Sequence, residues 1–205
     1  MKNVVKLLSF NTFIPVFYPA LMLPIKPWRT KAIKMLDFHT GDRVIVPGVG
    51  SGHDLSSLPN DVHVDGVDIS DVMLGLGRLK LKLFGREKHV TLNKMDAEKL
   101  FFDDNTFDKA ILSLFLTVVF DAKKAFKEIV RVVKPGGQIL IFDHLFRKGD
   151  VPTVLAKPID AVLSYGFASV ARVLDDIIEG HPVTVEKIVK GDPVGFIKGF
   201  LLVKH

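Results

Sequence analysis

Between Val44 and Phe142 short apolar runs alternate with stretches of helical spacing. Val44-Ile45-Val46 is β-branched throughout and reads as a buried strand. Residues 62–68, Val-His-Val-Asp-Gly-Val-Asp, alternate and predict a second strand. Runs at His89–Leu92 and Phe107–Leu114 predict a third and a fourth, the last apolar enough to lie in the middle of a parallel sheet. The segments between them keep a helical rhythm. A short helix is expected from Gly52 to about Leu58, where Pro59-Asn60-Asp61 breaks it. Ser70-Asp71 caps a helix over Val72–Phe84. Over Ala122–Val133 the residues Ala125, Phe126, Ile129, Val130 and Val133 share one face with lysines opposite. Lys134-Pro135-Gly136-Gly137 stops that helix, and Gln138–Phe142 is a fifth strand. Strands alternating with helices predict an α/β chain with a doubly wound, mostly parallel sheet.

The two ends depart from this rhythm. Residues 151–179 read as mostly helical, interrupted at Pro158 and near Gly166. Val183–Val189 and Phe196–Val203 are β-like runs around Gly191-Asp192-Pro193, spaced for an antiparallel hairpin at the sheet edge. At the other end, no charge occurs from Leu7 to Ile25. Length alone would allow a membrane span or a signal sequence there. Pro15, Pro19 and Pro24 oppose a regular helix, and a short helix over Val4–Phe10 followed by an irregular apolar segment is the preferred reading. That segment either packs on the core or closes over a pocket or membrane interface. Pro27–Leu36 is read as a helix with a basic face that includes Arg29, Lys31 and Lys34, with Trp28 either partly buried or at headgroup level. Residues 1–40 are accordingly taken as an N-terminal helical and apolar lid, and 41–205 as the body of a single domain.

Composition narrows the field modestly. The chain has 205 residues, 25% of them charged, and a formal net charge of +5. That surplus is compatible with an anionic membrane surface or an acidic partner, but a solvated lysine-rich surface explains it as well. There is no cysteine, which excludes disulfides and thiolate metal sites within the chain and favours a cytoplasmic setting, membrane-peripheral if the N-terminal segment meets lipid. His53-Asp54 and Asp143-His144 are adjacent pairs without metal-ligand spacing, so no metal is expected. No dense basic stretch with interleaved aromatics marks a nucleic-acid surface.

The chemistry centres on the turn after the first strand. Gly48, Gly50 and Gly52 alternate there, so the backbone can turn tightly and approach a ligand without Cβ atoms in the way. The spacing is not the G-x-G-x-x-G that cradles a pyrophosphate. Asp68 follows Gly48 by 20 residues, at the end of the second strand, where one carboxylate can accept from two neighbouring ribose hydroxyls.

These landmarks together resemble the class I S-adenosylmethionine-dependent methyltransferases. The residues that carry the likeness are Gly48-Val49-Gly50-Ser51-Gly52, Gly66-Val67-Asp68-Ile69-Ser70 with Met73-Leu74, Met95-Asp96-Ala97-Glu98, and Arg131-Val132-Val133-Lys134-Pro135-Gly136-Gly137. The resemblance covers about residues 40–145 and implies a Rossmann-like seven-stranded sheet with an antiparallel last strand. S-adenosyl-L-methionine is the implied cofactor. Gly48, Gly50 and Gly52 would face its methionine part, and the backbone near Leu112 and Ser113 would line that end. Asp68 would bind the ribose, Ile69 and Met73 would pack on the adenine, and Asp96 with the Ala97 N–H would meet the adenine edge. Within the family the chain is most similar to the ubiquinone and menaquinone methyltransferases and to bacterial phosphatidylethanolamine N-methyltransferases. Leu116–Val119 and Asp143–Phe146 look more like the phospholipid enzymes.

Two positions depart from the family pattern. An acidic residue that helps hold the cofactor's ammonium usually stands where this chain has Val46, followed by Pro47. Pro19 replaces the aspartate of a Tyr-Asp pair beside Tyr18. Methyl transfer is chiefly a matter of bringing nucleophile and methyl into line, and a base is needed only if the acceptor has a proton to lose. His144, at the carboxyl end of the fifth strand, is the candidate base, and Tyr18 the candidate to orient an acceptor. A small apolar or lipid-like acceptor is expected, nucleic acid is not, and a cofactor-binding or membrane-associated protein without transferase activity is the alternative that Val46 keeps open.

Overall fold

The computed structural model describes residues 24–150, 169, 171–193 and 195–205. The predicted helices at Val4–Phe10 and over most of 151–179 lie outside them, as do Tyr18 and Tyr165. Among the described residues the order is α1 (Lys26–Ile33), β1 (Arg43–Pro47), β2 (His63–Asp68), α2 (Asp71–Phe84), β3 (Val90–Lys94), β4 (Phe107–Ser113), α3 (Ala122–Val132), β5 (Val133–Asp143), α4 (Leu174–Ile178), β6 (Val183–Lys190) and β7 (Lys198–Lys204).

The strands form one seven-stranded sheet in the order β3-β2-β1-β4-β5-β7-β6. β1 to β5 pair in parallel, and β7 runs antiparallel to both β5 and β6, so the expected edge hairpin is present. Period-two alternation distributes the core over both faces. Ile45, Ala110, Leu112, Ile139 and Ile141 meet Phe126 and Ile129 of α3 and Leu174 of α4. Val44, Val46, Ile111, Leu140 and Phe142 face the side covered by Ala32 and Ile33 of α1 and Leu74 and Leu81 of α2. Helix ends follow local chemistry. Ser70 accepts the Met73 N–H and Asp121 accepts those of Lys123 and Lys124, while Gly85 closes α2 at φ 64°.

Three expectations need correction. The helix after Gly52 is only a 3₁₀ turn, Leu55–Ser57. β5 begins at Val133, not Gln138: its pairing with β4 jumps from Phe107↔Val133 to Lys109↔Gln138, so the Lys134–Gly137 stretch bulges within the strand. Gly137 permits this, because a Cβ there would lie 2.6 Å from Val133 Cγ1 and 2.9 Å from the Asp108 carbonyl oxygen. The basic face of α1 lacks Arg29, while Lys31 and Lys34 stay exposed. Arg29 is buried, and Trp28 is half-buried against the α1–α2 side of the core. No helix among the described residues is long and apolar enough to cross a membrane.

Candidate functional site

Strand order reverses between β1 and β4, and the crevice outside their carboxyl ends is where open parallel sheets bind ligands. A cavity opens there. One wall comes from the turn after β1 and the end of β2: Gly48, Val49, Gly50, Asp54, Val67 and Asp68. Ile69 and Met73, then Met95, Asp96 and Ala97 from the loop after β3, continue it. The opposite wall is Ser113, Leu114, Phe115, Val118, Val119 and Phe120, between β4 and α3.

The glycine turn is shaped by close approach. Gly48 and Gly50 have φ of 62° and 54°, a region that side chains disfavour. A Cβ on Gly48 would lie 2.6 Å from Phe115 Cδ2, and one on Gly50 would lie 3.1 Å from Met73 Cε. These two glycines line the cavity, but Gly52 does not. Its missing Cβ makes room for Leu55, whose Cδ1 would be 2.8 Å away, and for Gly77 of α2. Of the backbone expected near Leu112 and Ser113, Ser113 is in the lining, and the Leu112 side chain is fully buried in the core.

Asp68 is locked in place. Its Oδ2 accepts the Gly50 N–H at 2.8 Å and its Oδ1 the Ser70 N–H at 2.9 Å. A carboxylate has about four lone-pair directions, so these two N–H groups do not exhaust its capacity to accept from a ligand diol. Burial pushes its carboxyl above the usual range, and the main-chain N–H groups oppose that rise. Asp96 Oδ1 accepts the Glu98 N–H at 2.9 Å. Gly48, Gly50, Asp68, Ile69, Met73, Asp96 and Ala97, all expected to meet the cofactor, therefore line one cavity. Such a cradle fits a nucleoside with an aliphatic tail: hydrogen-bonding carboxylates for a ribose, apolar Ile69 and Met73 for a flat base, and side-chain-free backbone for the tail.

Of the opposite wall, the sequence pointed to the backbone near Ser113 and, by family likeness, to Leu116–Val119, but not to Leu114, Phe115 or Phe120. Leu114 adopts φ 50°, strained for a bulky residue, while its N–H donates to the Phe142 carbonyl at 2.7 Å. The chain thereby leaves the sheet and turns Phe115 toward Gly48. Thr117 is held by the buried Asp143, which accepts its N–H at 3.2 Å and its hydroxyl at 2.7 Å. Arg172 donates to the carbonyls of Leu116, Val119 and Phe120, the last two at 2.9 and 3.3 Å.

His144 is not part of the cavity lining. Its ring stacks on Phe196 at 5.4 Å, and its Nδ1 lies 3.2 Å from Asp143 Oδ1. Asp54, noticed in the sequence only as a neighbour of His53, does line the cavity and is buried beside Arg29, with Nε and Oδ1 3.3 Å apart. Burial raises its carboxyl pKa, against the pull of Arg29 and the Ser113 hydroxyl. His53 next to it is pushed down to about 4 by burial and by the charges of Lys80, Arg29 and Lys26. Among the described residues no group of three His, Asp or Glu side chains could hold a metal ion.

The comparisons agree with this geometry. A methyltransferase domain model matches residues 45–141. Phosphatidylethanolamine N-methyltransferase of Cereibacter sphaeroides is 36% identical over 115 residues, which are 56% of this chain and 57% of that protein. Ubiquinone/menaquinone biosynthesis C-methyltransferase of Idiomarina loihiensis is 34% identical over 148 residues, 69% of this chain and 55% of that protein. The chain thus spans little more than half the length of these curated relatives. Among solved structures, the YcgJ protein of Bacillus subtilis superposes with a TM-score of 0.70 at 19% identity, over 87% of this chain and 98% of that one, a likeness of fold. With the seven-stranded sheet, the glycine turn and the Asp68 cradle, the methyltransferase domain over residues 45–141 and these relatives support a class I S-adenosylmethionine-dependent methyltransferase, similar to the ubiquinone/menaquinone and phosphatidylethanolamine enzymes.

Proposed function

We propose that the chain transfers the methyl group of S-adenosylmethionine to an apolar or lipid-like acceptor. The observation that carries this reading is the asymmetry of the cavity. Asp68, anchored by main-chain N–H groups, and Asp96 stand on one wall, and Phe115, Val118, Val119 and Phe120 on the other. Relatives named for phosphatidylethanolamine and for ubiquinone and menaquinone biosynthesis support an amphipathic acceptor.

The bound cofactor would supply an electrophilic methyl carbon on a sulfonium. The chain's own work is then alignment and exclusion of water. Asp68 would fix the ribose, Ile69 and Met73 the adenine, and Asp96 with the Ala97 N–H the adenine edge. Phe115, Val118 and Val119 would hold the acceptor's apolar part. A cationic leaving centre passing its methyl to a neutral nucleophile gains from such a dry wall, because charge disperses in the transition state. His144 would serve as base only for an acceptor that loses a proton. Its Asp143 partner also holds Thr117, which ties the ring to the apolar wall. Tyr18 is the proposed acceptor contact from the N-terminal segment, and a membrane-peripheral position would give the chain access to a lipid.

Calorimetry with S-adenosylmethionine and S-adenosylhomocysteine, together with transfer of labelled methyl to phosphatidylethanolamine vesicles and to a demethylated quinone, tests the reading. Binding of both nucleosides and label in one lipid-like acceptor are expected. Asp68→Asn should weaken S-adenosylhomocysteine about 30-fold, since its amide nitrogen would face a main-chain N–H as donor against donor. No binding of either nucleoside would sink the reading, and binding without transfer to any acceptor would favour a non-catalytic cofactor-binding protein.

A further inference from the structure

Three carboxylates line the cavity, and they are not held alike. Asp68 accepts two main-chain N–H groups and Asp96 accepts one. Asp54 takes no main-chain N–H among the described residues, and its neighbours are the Arg29 guanidinium and the Ser113 hydroxyl. It stands at the head of the 3₁₀ turn Leu55–Ser57 without capping it. Its Oδ1 meets Arg29 Nε at 3.3 Å without the alignment of a hydrogen bond. Asp54 is 6% exposed, and burying an anion is costly unless a cation compensates it. A carboxylate needed only to balance Arg29 could sit anywhere along the guanidinium. This one sits where the glycine turn opens into the cavity.

The position opposite is apolar. Val46 is 1% exposed, pairs with Gly66 in the sheet, and packs into the core on the α1–α2 side. No anion can be offered from there. The cofactor's amino-acid end carries an ammonium that must lose most of its hydration to enter this turn, and a desolvated ammonium is held most strongly by an anionic acceptor. Building on the cofactor reading above, we infer that Asp54 receives that α-ammonium, reaching it from the far side of the Gly48–Gly52 turn in place of an acid at position 46. Arg29, 3.3 Å behind Asp54, is the positive charge that favours the ionised carboxylate against its burial. This gives α1 a part in the site: it delivers the buried arginine that stands behind the ammonium acceptor.

The test compares S-adenosylhomocysteine with the analogue that lacks only its α-amino group, by calorimetry on the full chain. The unaltered protein should bind S-adenosylhomocysteine at least tenfold more tightly than the desamino analogue. Asp54→Asn should close that gap, weakening S-adenosylhomocysteine at least tenfold and leaving the analogue within about twofold. Because Asn leaves Arg29 buried without its anion, a second variant, Arg29→Met with Asp54→Asn, removes both charges and should show the same closed gap. Equal loss for both ligands in both variants, or an unchanged gap, overturns the assignment. If the unaltered protein binds neither ligand, the cofactor reading fails and takes this one with it. If it binds both equally, only the role of Asp54 fails.

Discussion

Asp68, on the polar wall of the cavity, is fixed by Ser70, 2 residues on, and Gly50, 18 residues back. Phe115 to Phe120, on the apolar wall, are fixed by Asp143, 26 residues from Thr117, and by Arg172, between 52 and 56 residues from the carbonyls it reaches. The Asp68 part of the first wall is assembled within one β-turn-β-helix unit, and only Met95, Asp96 and Ala97 are added from the loop after β3. The second exists only once the C-terminal part of the chain has docked. Local unfolding that releases Arg172 would therefore disturb acceptor binding before it disturbs the cofactor cradle.

The substitution that strikes both walls should have the largest effect. Gly48→Ala puts a methyl group 2.6 Å from Phe115 Cδ2 at φ 62°. Phe115 would have to move into the cavity, or the turn away from it. The variant should lose about 3 kcal/mol of stability and bind S-adenosylhomocysteine at least about 30-fold more weakly. Gly41→Ala, at φ 86° but with open space around it, isolates backbone strain. It should cost only about 1 kcal/mol and leave binding unchanged. Chemical denaturation and calorimetry on both variants check this, and equal losses would mean that the Gly48–Phe115 approach is unimportant.

A smaller and more selective effect is expected from Arg172→Met, which keeps the aliphatic stem and removes the donors to three carbonyls. Stability should fall by about 2 kcal/mol. Affinity for S-adenosylhomocysteine should stay within about threefold, while KM for the acceptor rises tenfold or more. Asp68→Asn should do the reverse. If Arg172→Met weakens the nucleoside as much as Asp68→Asn does, the two walls form one cooperative unit and their contrast in sequence range has no energetic counterpart.

The same contrast decides what could be read from sequence. Gly48, Gly50, Asp68, Ile69, Met73, Asp96 and Ala97 all reach the cavity because each follows a strand whose end is visible in the pattern. Gly52 and Leu112 were legible as neighbours of the site, but what each packs against was not. One makes way for Leu55, and the other points into the core one residue before the lining begins. Leu116–Val119 was noticed only as a family likeness, and its place as a wall was not legible, since Leu114 turns by an unfavourable φ that only tertiary contact stabilises. Asp54 and Arg29 are joined across 25 positions by burial, and a periodicity that placed Arg29 on a basic surface could not find the pair. The Lys134–Gly137 stretch was recognised as a stop but not as a bulge, because glycine signals both.

The smallest expected effect concerns pH and separates the walls by charge. His53, behind the polar wall, has its pKa lowered from 6.5 to about 4, first by burial and then by Lys80, Arg29 and Lys26. Between these values the unfolded chain binds the proton more readily than the fold. The stability tied to neutral His53 is therefore complete above about pH 6.5, falls as pH drops through the window, and levels off below about 4. His53→Gln retains an acceptor for Lys80, whose Nζ lies 3.5 Å from Nε2, but cannot titrate. The stability difference between unaltered protein and variant should shift in favour of the variant by about 1–2 kcal/mol from pH 7 to pH 4.5, less than the full shift implies because the ring is only half-buried. Asp54 and Asp68, whose pKa values are raised, shift stability in the opposite direction, but they are present in both proteins. Val119→Ala on the apolar wall should lower stability by a similar amount at every pH. Denaturant titrations of the three proteins across that range would show whether acid sensitivity resides on the polar side. A difference for His53→Gln that does not change with pH would place its proton affinity at the unfolded value and remove the electrostatic distinction between the walls.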